Sequence, residues 1–168
     1  MEPLLSSTIQ VKASWAKDCF TQLGSMLTND PVVVDLLKNL NEAIFLSRSA
    51  MANSGLASIC RQCEVDDGGS CCGAGLEKRY SAGLLLINLL LGVALPETRY
   101  DENSCYFLGK NGCLLKARHA ICVNYICSKI SDKLDPDYLK PLREREGVEL
   151  ETVFRLNERI KALLRKKF

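Results

Sequence analysis

The residues able to do chemistry in this chain are cysteines. Nine occur among 168 residues, and eight of them fall between positions 60 and 127 in two spaced groups. The first is Cys60-x2-Cys63-x7-Cys71-Cys72, and the second is Cys105-x7-Cys113-x8-Cys122-x4-Cys127. A two-residue gap lets one turn present two sulfurs to a single ion, and distant pairs complete the shell when the chain folds. All-thiolate ligation is soft, so it selects zinc, iron–sulfur clusters or copper(I) over magnesium or calcium. The adjacent thiols Cys71 and Cys72 make poor disulfide partners, because neighbouring Cα atoms sit about 3.8 Å apart and a disulfide wants about 5.5–6 Å. Each therefore looks to a different partner.

Several familiar cysteine chemistries are excluded by spacing. The C-x2-C-x2-C run of ferredoxins, the C-x3-C-x2-C of radical enzymes and the C-x2-C-H of covalent haem do not occur. A thioredoxin-type site wants its C-x2-C after a strand in a βαβ unit, and no such pattern precedes Cys60. His119 is the single histidine, which argues against a histidine-based catalytic centre. Cys19 stands apart on an apolar helical stripe and reads as a small core hydrophobe.

The elements that must position these thiols are mostly helical. Trp15, Cys19, Phe20, Leu23, Met26 and Leu27 recur at spacings of three and four, predicting an amphipathic helix over about 8–28. Asn29 or Asp30 as cap, Pro31 at the first position and Gly55 as stop predict a second helix, with Val34, Leu37, Leu40 and Ile44 facing the core. The two read as a helical hairpin. Residues 56–75 show no apolar period and read as loop. The run between Arg79 and Pro96 holds about 14 apolar residues, short of the roughly 20 needed to span a bilayer, and predicts a buried core helix over 80–94. Turn signals at Lys110-Asn111-Gly112 lead into a predicted helix over 116–128. The chain then reads as a short capped helix from Asp135 and a separate amphipathic one from Val148, with Leu150, Val153, Phe154, Ile160, Leu163 and Leu164 on one side.

Composition agrees with one domain over residues 1–168: 47% hydrophobic, 25% charged and a net charge of +2. That balance gives no basic face for nucleic acid and no membrane-binding surface. The first residues lack a secretory pattern, and dense thiols fit a reducing compartment, so the expectation is a cytoplasmic protein. The fold expected is all-α, a small bundle of four to six helices around metal-binding cysteine loops.

The stretch Cys105-Tyr106-Phe107-Leu108, followed by Cys113, Arg118 and Cys122, resembles the signature of the YkgJ-like cysteine-cluster proteins, described as zinc- or iron-chelating. Cys60, Cys63, Cys71 and Cys72 stand for that family's C-x2-C-x2-C-C, and the resemblance covers roughly residues 60–127. Seven residues separate Cys63 from Cys71 where the family has two, and His119 stands where a proline usually follows the arginine. The related flagellin lysine methylases carry an iron–sulfur cluster on the same kind of cysteine set. The resemblance thus implies a metal site drawn from Cys60, Cys63, Cys71, Cys72, Cys105, Cys113, Cys122 and Cys127. The function expected is iron–sulfur binding, of the 4Fe-4S type, for electron transfer or as a cofactor-bearing accessory with a protein or redox partner. The alternatives are a zinc-stabilised helical interaction module and, by family analogy, a methyltransferase-like enzyme.

Overall fold

A computed structural model describes residues 1–65, 71–134 and 136–167. The chain is mostly helical, as the apolar periodicities predict. Helix α1 spans Ile9–Asn29 and α2 spans Pro31–Asn53, joined through the single residue Asp30. Thr8 caps α1 by accepting from Val11 N, and Asp30 caps α2 by accepting from Val33 N at 3.0 Å. Pro31 occupies the first helical position, where a missing N–H costs nothing.

The predicted hairpin is looser than its sequence suggests. α1 packs chiefly on α4 (Ala82–Leu90), and α2 packs chiefly on α7 (Pro136–Lys167). The buried face of α2 is Val33, Leu36, Leu40, Ala43, Ile44 and Ser47, while Val34 is exposed and Leu37 only half-buried. On α1 the buried side runs through Ile9, Lys12, Ala16, Leu23 and Leu27, and Phe20 is turned outward. Lys12 is fully buried because its Nζ donates to Lys78 O at 2.8 Å, and burial lowers its pKa.

Helix α4 is the centre of the fold. Residues Ala82 to Asn88 are all buried, as a helix apolar on every side requires. It is shorter than predicted because Gly92, at φ +79, ends it: Gly92 N donates to Leu89 O and Val93 N to Asn88 O, each at 2.9 Å. That reverse turn satisfies carbonyls the helix leaves open. Where α4 meets α7, a Cβ at Gly83 would lie 2.6 Å from Asn157 Oδ1, so a larger residue there would require the Asn157 side chain to shift.

Asn88 does what an apolar pattern cannot announce. Its Nδ2 donates to Leu84 O and Ala117 O at 2.9 and 2.8 Å, and its Oδ1 accepts from Lys116 N and Ala117 N at 2.9 and 3.1 Å. The strip at 116–117 is thereby held off the helical path. The helix predicted over 116–128 is instead two short pieces, α5 (Ala120–Asn124) and α6 (Ser128–Ser131). His119 caps α5, its Nδ1 accepting from Ile121 N at 3.2 Å.

Two further expectations are corrected. Residues Leu56–Val65, read as loop, form helix α3, whose Leu56 and Ile59 dock into a second small core with Ile130 and Leu142. The two helices predicted near the end are one, α7, running through Pro141 and Gly147. It is continuous because Leu142, Glu146, Glu149, Thr152, Leu156 and Ile160 form one unbroken buried face, while Phe154 is exposed. The expected turn at Lys110-Asn111 is present, closing a two-residue hairpin of β1 (Leu108–Gly109) and β2 (Gly112–Cys113), with Leu108 opposite Cys113.

Arg159 on α7 reaches back to the cap of α2, its Nε and Nη2 donating to Asp30 at 3.1 and 2.5 Å. The guanidinium holds the Asp30 carboxyl below the usual carboxylate range. A carboxyl depressed in the folded state gives stability that is present above its unfolded pKa, about 3.9, and is lost as pH falls through the folded value. Asp30→Asn should therefore lower the melting temperature at pH 7, with the gap to wild type closing below about pH 4; a gap that does not change with pH would refute the ion pair. Asn88→Ala leaves the 116–117 amides and a carbonyl buried without partners and should cost about 3 kcal/mol or more by denaturant unfolding. A loss under about 1 kcal/mol would mean that the strip finds other partners.

Candidate metal centre

None of the nine cysteines forms a disulfide with another. Cys60 and Cys63 sit three residues apart on α3, hence on one helical face, with Cys60 exposed and Cys63 half-buried. Cys127 is the residue capping α6, which packs against α3. Lys129 Nζ, two residues on, donates to Cys63 Sγ at 3.5 Å. Cys71 is exposed and joins this group. Burial raises the Cys60 thiol pKa, and the neighbouring Cys71, Cys127 and Cys63 raise it further. Cys71 is raised in the same way, by burial and then by Cys127 and Cys63.

The second gathering lies under the main core. Cys105 is buried beside Tyr106 and Phe107, and Cys113 and Cys122 pack against the same core. Tyr80, itself buried, hydrogen-bonds Cys122 Sγ at 3.5 Å through its hydroxyl, which also accepts from His119 N at 3.2 Å. Burial pushes the Cys105 thiol up to about 11, with Glu77, Cys113 and Cys122 adding to it. Cys122 is raised too, by burial first and by Cys113, against the Tyr80 bond. Cys72 meets this region through its backbone: Cys105 N donates to Cys72 O at 2.5 Å, and Gly73 bridges to Ser104.

The spatial grouping therefore crosses the sequence grouping. Cys127, from the second cysteine run, lies with Cys60, Cys63 and Cys71. Cys72, from the first run, is bonded to the segment of Cys105. Cys19 belongs to neither, packing against the main core as expected. Residues 66–70, which carry most of the insert before Cys71, lie outside the described residues.

Charged residues frame the thiols. Arg118 stands beside both Cys60 and Cys122, where its cation favours the thiolate form. Lys116 is turned away, its Nζ donating to Leu91 O at 2.9 Å. Arg48 on α2 donates from Nη2 to Leu115 O and Lys116 O at 2.6 and 3.1 Å, and lies near Arg118, Cys113 and Glu149. Glu149 is fully buried on α7, and neither of its carboxylate oxygens has a hydrogen-bond partner among the described residues. Burial raises the pKa of its neighbour Glu146, against the ion pair with Arg143 at 3.0 Å.

Glu77 was not foreseen, although it follows the turn glycine Gly75 by two residues. Gly75, at φ +99, adopts a backbone that favours glycine, and its N–H donates to Glu77 Oε2 at 3.0 Å. Tyr106 N donates to the same oxygen at 3.4 Å, and Arg99 Nη2 donates to Oε1 at 2.7 Å. Burial pushes the Glu77 carboxyl up, but these donors more than offset it and hold it below its ordinary value. The carboxylate thus ties the segment after Cys72 to the segment after Cys105.

The donor set fits a soft metal or cluster by its chemistry: free thiols, gathered in neighbourhoods, with a cation beside them. Among the described residues no three Cys, His, Asp or Glu side chains converge closely enough to enclose an ion. No protein-family model, no curated protein and no solved structure matches the chain.

Glu77→Ala should cost about 2 kcal/mol by denaturant unfolding, because it strands two backbone donors and Arg99. It should also speed alkylation of the buried Cys105 thiol, read by mass spectrometry, while Cys60 alkylation stays as in wild type. Equal protection of Cys105 in both proteins would show that Glu77 does not hold that wall.

Proposed function

We propose that the chain is a cysteine-cluster metal-binding protein holding an iron–sulfur cluster of the four-iron type, for electron transfer or as a cofactor-bearing accessory to a protein partner. The observation that carries this reading is that none of the cysteines is tied up in a disulfide, with Cys60 near Cys63, Cys71 and Cys127, and Cys105 near Cys113 and Cys122 beside the apolar main core. Thiols whose pKa values are raised by burial and by one another are poorly placed to ionise together without a cation. A cluster or ion supplies that cation and takes the thiolate form.

Four cysteines from the set would hold the cluster, which when bound supplies one-electron chemistry. The remaining roles belong to the chain. The Leu84–Ile87 face of α4, with Phe107 and Tyr80, keeps water from one side of the thiols. Arg118 places a positive charge beside them, and the Tyr80 hydroxyl offers a hydrogen bond to Cys122 sulfur. Hydrogen bonds to sulfur and burial are the levers by which a protein sets a cluster's potential. The likeness of Cys105, Phe107, Leu108, Cys113, Arg118 and Cys122 to the YkgJ-like signature supports the same assignment.

Protein purified without oxygen should be brown, with a broad absorption near roughly 400 nm and stoichiometric iron and sulfide. Cys60→Ala and Cys113→Ala should each lose metal, while Cys19→Ala keeps it. A colourless protein with stoichiometric zinc would replace the cluster by a zinc-closed interaction module. Full metal content in both of the first two variants would defeat the site.

A further inference from the structure

A cavity of about 270 Å3 opens between the start of α4, the residues leading into α5 and the middle of α7. Its apolar lining is Leu84 and Ile87 from α4 with Leu150, Val153 and Phe154 from α7. Its polar lining is Ser81, Arg118, His119 and Asn157, and among the described residues no aspartate or glutamate lines it. A cavity of about 150 Å3 holds a benzene molecule, so this one has room for a ring and a short tail. Phe154, although it lines the cavity, is 65% exposed, and an occupant with a hydrocarbon body would cover apolar surface that water now wets.

The polar groups here are donors. Ser81 Oγ accepts from Leu84 N at 3.2 Å, which leaves its hydroxyl proton to give. His119 Nδ1 accepts from Ile121 N at 3.2 Å, so the neutral ring carries its proton on Nε2. Burial and the nearby Arg79 lower the His119 pKa, which keeps that ring neutral near pH 7. Arg118 is a permanent cation, and its buried Nε has no hydrogen-bond partner among the described residues. The amides that start α4 are already taken, Gly83 N by Glu2 Oε1 at 2.8 Å and Leu84 N by Ser81, so the side chains are what the cavity offers. A larger cavity, about 730 Å3, lies between α1 and the end of α7, but its rim sets Glu2 and Asp18 against Lys161 and Arg165 and so selects no sign of charge.

We propose that the smaller cavity is a binding site for a small monocarboxylate with a hydrocarbon or aromatic body, its carboxylate held by Arg118 with His119 and Ser81 and its body lying against Leu84, Leu150 and Phe154. An apolar cleft with a few convergent polar groups is the common form of a small-molecule site. One cation in a lining rich in hydrocarbon suits a single negative charge better than the two of a phosphate, and the planar guanidinium fork matches a planar carboxylate. The site stands apart from the thiols and does not need them to hold metal.

The test is calorimetric titration of the full chain, as purified, with hydrocinnamate as the probe, beside the neutral hydrocinnamyl alcohol and inorganic phosphate. Hydrocinnamate should bind with a Kd on the order of 1 mM or tighter, and at least about tenfold more tightly than either comparison compound. Arg118→Gln should weaken it at least about tenfold through loss of charge-assisted hydrogen bonds. Phe154→Ala, a change at an exposed side chain, should weaken it about threefold or more. Arg165→Gln, at the larger cavity, should leave it unchanged. Should Arg118→Gln fail to fold, the Phe154→Ala loss decides together with amide chemical-shift changes, which should centre on Ala120, Val153 and Phe154. Equal binding of the alcohol, or tighter binding of phosphate, overturns the ligand class. Weakening by Arg165→Gln and not by Phe154→Ala places the probe in the larger cavity and overturns the site, as does no binding up to about 10 mM. Each of these outcomes is independent of whether the chain carries metal.

Discussion

The carboxamide of Asn88 is the interaction on which the arrangement of the thiols depends. It sits in the last turn of a helix whose other side chains are all hydrocarbon or glycine, and all four of its hydrogen-bonding positions are used. In so dry a setting an unpaired amide is costly and a fully paired one rigid. Its partners at 116 and 117 are gripped from the other side by Arg48, whose guanidinium crosses from α2 to Leu115 O and Lys116 O. One strip of backbone is therefore clamped between two helices. Cys113 lies just before the strip, Arg118 and Cys122 just after it. Their positions follow from that clamp and not from any local preference of the intervening residues.

The electrostatics of this end of the molecule are unbalanced in a telling way. Buried thiols raise one another's pKa, the buried acids Glu146 and Glu149 lie close together, and Arg48 and Arg118 stand between. The Nε atoms of both arginines and both Glu149 oxygens are buried without hydrogen-bond partners among the described residues. Such a cluster is an expensive way to fill a core, since well-packed hydrophobic side chains would serve stability as well or better. Its presence fits the demand of a function that needs charge held beside sulfur.

Where local signals were strong, the fold was legible in the residues. Asp30-Pro31 and Gly55 bracket α2 because a cap, a fixed φ and a positive φ act on the nearest turn alone. The leucine run of α4 could hardly be anything but buried. Elsewhere the deciding contacts are distant. Helix α3 shows no clear apolar period in its sequence, and docking of Leu56 and Ile59 on Ile130 and Leu142 is what supports it. The segment after Lys116 has a helical pattern that Asn88 overrides. α7 hides Glu146 and Glu149 on its buried face, so its period was obscured by charge, and Gly147 passed for a stop. For the thiols, type and spacing marked the set, but which cysteine lies beside which depends on chain crossings that spacing does not encode.

The pairing of α2 with α7 has a bearing on how the chain comes into being. The face of α2 formed by Val33, Leu36, Leu40 and Ile44 is covered by a helix that begins at Pro136. During synthesis those side chains emerge long before their cover does, and at about 5–20 residues per second the wait lasts seconds. For that interval α2 is an amphipathic helix with an open apolar stripe, the kind of surface chaperones hold. The bond from Arg159 to the Asp30 cap can then act as a latch, one that fastens only after the chain has been made as far as Arg159.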